Sequence, residues 1–161
     1  MIVRADEILP EGLRVDLPLS IGPLSYEGDL EIGVADARLT AMVTPARDGL
    51  LCRGRLAATA FVPCSRCLEA YALPVEREFE VLFLGAPPEV AREGMEMQIS
   101  KDDLDVSYLD EHRGLDVDQM AAEQVYLEIP MKPLCAPDCR GICASCGSSL
   151  NHEPCRCALT A

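Results

Sequence analysis

"LLCRGRLAATAFVPCSRCLEAYALPVEREFEVLFL", residues 50–84, decides the fold. Within residues 50–62, Leu50, Cys52, Leu56, Ala58, Ala60 and Val62 share one face, while Arg53, Arg55 and Thr59 share the other. A period of two is the mark of a half-buried strand. Gly54 interrupts the apolar face, so a bulge or a close backbone approach is expected there. Residues 75–84 alternate again, with Val75, Phe79, Val81 and Phe83 on one side. Between the two runs lies PCSRCLEA, residues 63–70, with a C-x2-C pair. The stretch therefore reads as a long β-hairpin with Cys64 and Cys67 at its tip. Such a tip can turn backbone N–H groups toward a metal-bound sulfur pair.

Outward from the hairpin the pattern weakens. Residues 13–19 (LRVDLPL) and 30–43 (LEIGVADARLTAMV) alternate imperfectly and read as further half-buried strands, with a turn at 26–29 between them. Asp48-Gly49 is a stronger turn signal. Residues 85–104 are rich in Pro, Gly and charge and read as a long loop, after which residues 105–109 offer one short strand. A helix is expected near 116–129. Asp116 as N-cap with Gln119 three residues on resembles a capping box, and Val117, Met120, Ala121 and Val125 form a single stripe suited to packing on the sheet. Pro130 ends it, because it pushes Ile129 out of helical geometry. The expected class is α+β: a mostly antiparallel β-sheet or partial barrel with one packed helix.

The core must be aliphatic, since 49% of the 161 residues are hydrophobic but only 4% aromatic, with no tryptophan. Past Pro130 the composition changes. Residues 131–161 hold six of the nine cysteines and few large apolar groups. A segment like this takes its folding energy from metal rather than from a core. Two units follow: a β-rich domain over 1–130, and a cysteine-rich, zinc-ribbon-like tail over 131–161 docked on the 64–67 tip.

The opening residues, MIVRADEILPEG, carry Arg4, Asp6 and Glu7 with no long apolar run behind them, which argues against a signal peptide. No stretch approaches the roughly 20 apolar residues of a membrane span. The expected location is cytoplasmic. In a reducing compartment clustered cysteines are metal ligands or redox centres more often than disulfides, and an odd count fits pairing poorly. Zinc is the default for clustered thiolates, although composition alone does not separate it from iron–sulfur.

The cysteines fall into four pairs: C-x2-C at Cys64 and Cys67, C-x3-C at Cys135 and Cys139, C-x2-C at Cys143 and Cys146, and C-x-C at Cys155 and Cys157. Four pairs suggest two four-coordinate sites. The tail alone can supply one, from Cys143, Cys146, Cys155 and Cys157, with Gly147 permitting the tight turn. Cys64, Cys67, Cys135 and Cys139 then form the other and tie the tail to the hairpin. The rival partition, Cys135, Cys139, Cys143 and Cys146 on one ion, leaves the hairpin pair with only the awkward C-x-C. Cys52 is left over as a small buried thiol. His152 could replace a cysteine but reads as an exposed bystander, and His112 as a solvated loop residue.

All-cysteine sites with four ligands are closed and are poor Lewis acids, and no Ser/His/Asp set, phosphate loop or H-E-x-x-H is present. The expectation is a protein that is not an enzyme and takes no small-molecule substrate. Its net charge of −13 would become about −17 with two zinc ions on eight thiolates. No broad basic surface is available for phosphate backbones. Any RNA contact must be local, and Arg53, Arg55, Arg66 and Arg140 are the candidates.

PCSRCLEAY at 63–71, EQVYLEIPMKPLC at 123–135 and DCRGICASCGSSLN at 138–151 together resemble the YceD family of large ribosomal RNA subunit accumulation proteins. The resemblance spans roughly residues 40–157. It departs from the family's commonest tail, GLCPxCGxNLN, by changes that spare the cysteines. It implies a small cytosolic β-rich domain that supports accumulation and processing of large-subunit (23S) rRNA. The implied partner is a large-subunit precursor, reached through rRNA or a basic ribosomal protein, which an acidic body complements. The alternative is a cysteine/zinc redox switch or regulatory interaction module.

Overall fold

The computed structural model describes residues 1–26, 30–47, 49–85, 106–110, 112–152, 155 and 157. Within them the chain runs β1 (Ile2–Arg4), a 3-10 turn (Ala5–Glu7), β2 (Leu13–Pro18), β3 (Leu24–Tyr26), β4 (Leu30–Ala46), β5 (Gly49–Pro63), β6 (Ala70–Leu84), β7 (Val106–Tyr108), β8 (Gly114–Asp116) and α1 (Val117–Leu127). Residues 27–29 of the turn expected at 26–29, Asp48 of the Asp48-Gly49 turn, and all but the first residue of the expected 85–104 loop lie outside the described residues.

The hairpin forms as its alternation demands. β5 and β6 pair antiparallel from Gly49 opposite Leu84 to Pro63 opposite Ala70. The second strand begins five residues earlier than the alternation from Val75 suggests, so the tip shrinks to residues 64–69. Ala70, Ala72 and Pro74 are small or cyclic and blur the pattern without breaking the pairing. β4 lies on the other side of β5, pairing Val43 with Cys52 and Leu39 with Leu56. The register shifts between Ala35 and Arg38, and Asp36 there has φ 53°. The bulge is therefore on β4, not at Gly54. Gly54 instead meets the alternative reason for a strand glycine: a Cβ there would stand 2.6 Å from the Thr40 carbonyl oxygen and from the Ala41 Cβ.

The larger sheet has the order β2-β4-β5-β6-β7, with β3 also on β4. Among the described residues β2 and β7 do not pair, so the sheet is open, and the expected mostly antiparallel sheet with one packed helix is what forms. β7 falls where a short strand is expected, and it runs parallel to β6. β1 and β8 form a separate antiparallel pair.

α1 closes one face. Asp116 caps it, its Oδ1 accepting from the N–H groups of Asp118 and Gln119. Only half of the expected capping box forms, because the Gln119 side-chain amide donates forward to Glu123 instead of back. Val117, Met120, Ala121 and Val125 are buried in one cluster with Leu39, Leu56, Val75 and Phe79. Arg77 sits on the same inward face of β6 as Val75 and Phe79. Its guanidinium reaches the helix, 2.9 Å from Gln124 Oε1 and 2.5 Å from Glu128 Oε1. With the helix on this face, the tip of the hairpin is left free to receive the chain after Pro130.

Candidate metal centres

Two knuckles of one design present half of the tail and tip cysteines. At the hairpin tip, the Cys64 N–H donates to the Glu69 carbonyl at 3.0 Å, and the Leu68 N–H to the Cys64 carbonyl at 2.9 Å. The Arg66 N–H points at Cys64 Sγ, 3.5 Å away. In the tail, Cys143 N–H donates to Ser148 at 2.8 Å, Gly147 N–H to Cys143 at 2.9 Å, and Ser145 N–H points at Cys143 Sγ from 3.4 Å. The offsets of five, four and two residues are the same in both. Each turn passes through a left-handed residue, Leu68 at φ 64° and Gly147 at φ 72°. Glycine suits that conformation, while a leucine adopts it against steric cost.

The chain after α1 folds back onto the tip. The Ser65 N–H donates to the buried Pro133's carbonyl at 2.8 Å, and Arg66 donates to the Cys139 carbonyl at 2.9 Å. These bonds bring Cys135 and Cys139 against Cys64 and Cys67. Two groups of four sulfurs result, Cys64, Cys67, Cys135 and Cys139 in one and Cys143, Cys146, Cys155 and Cys157 in the other, each with all Sγ atoms within 4.8 Å of one another. None of the nine cysteines is in a disulfide. Four thiols around a Zn2+ at about 2.3 Å place the sulfurs at tetrahedral edges of about 3.8 Å. In the hairpin-tip group Cys64 and Cys139 are 3.8 Å apart and Cys67 and Cys135 3.7 Å. The tail group is tighter, with Cys155 3.3 Å from both Cys143 and Cys146. Both could hold a metal ion. The donor set is soft sulfur throughout, which suits zinc.

Their protonation splits in the same way. Burial pushes Cys64 up, but N–H groups of Cys67, Cys135 and Arg66 outweigh it and bring the thiol down to about 6. The Asn151 amide, working against burial, lowers Cys139. Cys135 is pushed up to about 12, by burial first and then by the neighbouring thiols. Cys67 also ends raised, since burial and Cys64 overcome the lowering bond from the Glu69 N–H. In the tail group the Ser148 hydroxyl and N–H bring Cys146 down to about 6, and the Ser145 N–H lowers Cys143. Cys155 rises to about 12 because Cys143 and Cys146 outweigh the lowering Cys157 N–H. Cys157 is raised too, as Cys146 and burial overcome its bond with Cys155. Four thiolates at this spacing repel one another, so a bare cluster keeps part of its protons. A divalent cation removes that obstacle.

The remaining candidates are placed differently. Cys52 is buried in the main core and far up the sheet from either cluster, as a small core thiol; burial pushes it up to about 11. His152 is exposed and lies 3.3 Å from Glu69, outside both clusters. His112 is exposed. Arg53 and Arg55 stand on the open face of the sheet, paired with Glu80 and Glu76 at 2.7 and 2.5 Å. From Arg55 to the end of β5 is eight residues, roughly 26 Å of strand, so these two arginines and Arg66 do not form one patch. Arg66 and Arg140 are engaged around Cys139. Asn151 was not among the expected site residues, although its side chain contacts a sulfur of the hairpin-tip cluster. Its place four residues before Cys155, in a loop without periodicity, offers no signal that it would.

Comparison with known proteins bears on this geometry. A family model described as large ribosomal RNA subunit accumulation protein YceD matches residues 52–160, a span that includes all eight clustered cysteines. An uncharacterized protein of Mycobacterium tuberculosis (strain ATCC 25618 / H37Rv) is 33% identical over 116 residues, 72% of this chain and 52% of the relative. One of Mycobacterium bovis shows the same figures, and one of Mycobacterium leprae is 28% identical over 95% of this chain and 63% of its own length. The chain thus spans about half the length of the first of these relatives. No solved structure matches it.

Proposed function

The chain belongs to the YceD family, and from that premise we propose that it is a non-enzymatic factor supporting accumulation and processing of large-subunit (23S) rRNA. In this reading it acts as a zinc-stabilised adaptor in the cytoplasm. The observation that carries the reading is the family match across the segment that holds both sulfur clusters. One zinc ion is held by Cys64, Cys67, Cys135 and Cys139, the other by Cys143, Cys146, Cys155 and Cys157. With four protein thiolates each, neither ion keeps a position for water or substrate, so its contribution is architectural. The first joins the tail to the hairpin, and the second closes the tail ribbon.

The partner proposed is a large-subunit precursor. The acidic chain, at −13, suits a basic ribosomal protein better than bare RNA. A direct RNA contact through Arg53 or Arg55 would have to displace Glu80 or Glu76, and one through Arg66 or Arg140 would compete with their bonds around Cys139. No helix among the described residues is long and apolar enough to cross a membrane. The test is gradient sedimentation of cell extracts with and without the protein. Co-migration with large-subunit precursors, and loss of large-subunit rRNA on depletion, is expected. A depleted strain with normal large-subunit rRNA and no precursor accumulation would overturn the proposal.

The tail cluster favours a second reading, a redox switch. Cys146 and Cys157 are exposed, and Cys155 stands equally close to two partner sulfurs. Release of the tail metal under mild peroxide would support it, and full retention of two metals would remove it.

A further inference from the structure

Asn151 belongs to the tail ribbon by position, between the Cys143/Cys146 knuckle and the Cys155/Cys157 pair, yet its side chain reaches the other cluster. Its Nδ2 donates to Cys139 Sγ over 3.3 Å. Its Oδ1 accepts from the Arg140 N–H at 2.8 Å, and its backbone carbonyl accepts from the Arg140 guanidinium at 3.0 Å. One residue thus grips both the Cys139 sulfur and the peptide beside it.

What places Asn151 is the ribbon. Immediately before it, the Leu150 N–H donates to Gly141 at 2.8 Å, Ile142 bridges Ser149, and the Cys143 N–H donates to Ser148 at 2.8 Å. A two-stranded ribbon this small is marginal in water by itself. Four cysteines enclose it, and the metal they could hold would supply the missing folding energy.

We propose that Asn151 is a positioning residue for the hairpin-tip metal centre, and that through it the two centres load cooperatively. Metal in the tail cluster orders the ribbon. The ordered ribbon delivers the Asn151 amide to the Cys139 thiolate, where an N–H donor spreads the sulfur's negative charge and fixes its orientation. Outer-shell donors of this kind typically change metal affinity by roughly 10–100-fold, and linkage makes the gain mutual between the two centres. The inference rests on the metal-binding reading above.

The test uses the full chain, with zinc measured by chelator competition and cobalt as a spectroscopic probe. The parent is expected to bind two metals. Asn151→Ala should still bind two, one of them about tenfold more weakly, with that centre's thiolate-to-cobalt charge-transfer band moved to lower energy. Asn151→Asp keeps an acceptor for the Arg140 N–H but removes the donor to sulfur, so it should weaken the same centre at least as much. Replacing Cys143 and Cys146 by Ser should weaken the remaining centre by a similar factor. A parent that binds fewer than two metals would sink the metal-binding reading itself. A parent that binds two, with both Asn151 variants matching its affinities and bands, would overturn the coupling alone.

Discussion

Leu68 and Gly147 hold the same place in two knuckles, at φ 64° and 72°, each donating its N–H at 2.9 Å to the carbonyl of the cysteine four residues back. The left-handed conformation costs a non-glycine residue roughly 1–2 kcal/mol. Leu68 recovers little by packing, since 66% of it is exposed. After the roughly 0.5–1 kcal/mol backbone entropy of glycine is subtracted, Leu68→Gly should stabilise the metal-loaded protein by about 0.5–1 kcal/mol. Gly147→Ala, with the same entropy credited in reverse, should destabilise it by about 0.5–1 kcal/mol. Denaturant midpoints of the two variants check both signs.

Arg77 is the one charged side chain that the inward face of β6 sends into the helix contact. Gln124 is buried and takes its Oε1 bond from Arg77. Arg77→Ala therefore leaves a buried amide oxygen without its donor, a loss of about 1–3 kcal/mol. A double-mutant cycle with Gln124→Leu checks it: in that background the Arg77 substitution should cost clearly less.

Cys52 gives the fold a pH limit on the alkaline side. Its thiol is raised by burial from 9.0 to about 11. A raised folded value means that its contribution is intact below pH 9 and is lost as pH climbs to about 11, at about 1.4 kcal/mol per pH unit. Cys52→Ala should remove that segment of the pH–stability curve while costing a little stability near neutrality through the small void left. The native thiol should also react with alkylating reagents only on the timescale of unfolding.

Metal removal should be local. The knuckles and the residues from Pro133 to Asn151 depend on the clusters, whereas the apolar core of β4, β5, β6 and α1 does not include them. Chelation is expected to speed amide exchange at residues 64–69 and 133–151 and leave β4 and β5 protected. Uniform loss of protection across the sheet would contradict this division.

How much of this was legible in the sequence follows from the length of each signal. Residues 50–62 carry six core positions in strict alternation, so β5 and its partner were readable to within a few residues. Cysteine spacings suggest which sulfurs can share an ion, and the observed grouping into two fours has that same partition. β1 and β8, three residues each, are too short to show a period, and their pairing joins positions more than a hundred residues apart. Arg77 falls between Val75 and Phe79 on the inward side of the alternation, but the sequence does not show that its guanidinium reaches Gln124 and Glu128 across the helix contact. Cys139 could be assigned backward to the hairpin, but its hold by Arg66 and Asn151 depends on two loops meeting.

In the proposed function eight cysteines hold two closed metal centres. Elemental analysis of the purified full chain, joined with X-ray absorption at the metal edge, tests it most directly. Two zinc ions per chain are expected, each with four sulfurs at about 2.3 Å, falling to one after Cys143 and Cys146 are replaced by Ser. Fewer than two metals in the parent, or nitrogen and oxygen among the nearest neighbours, would contradict it.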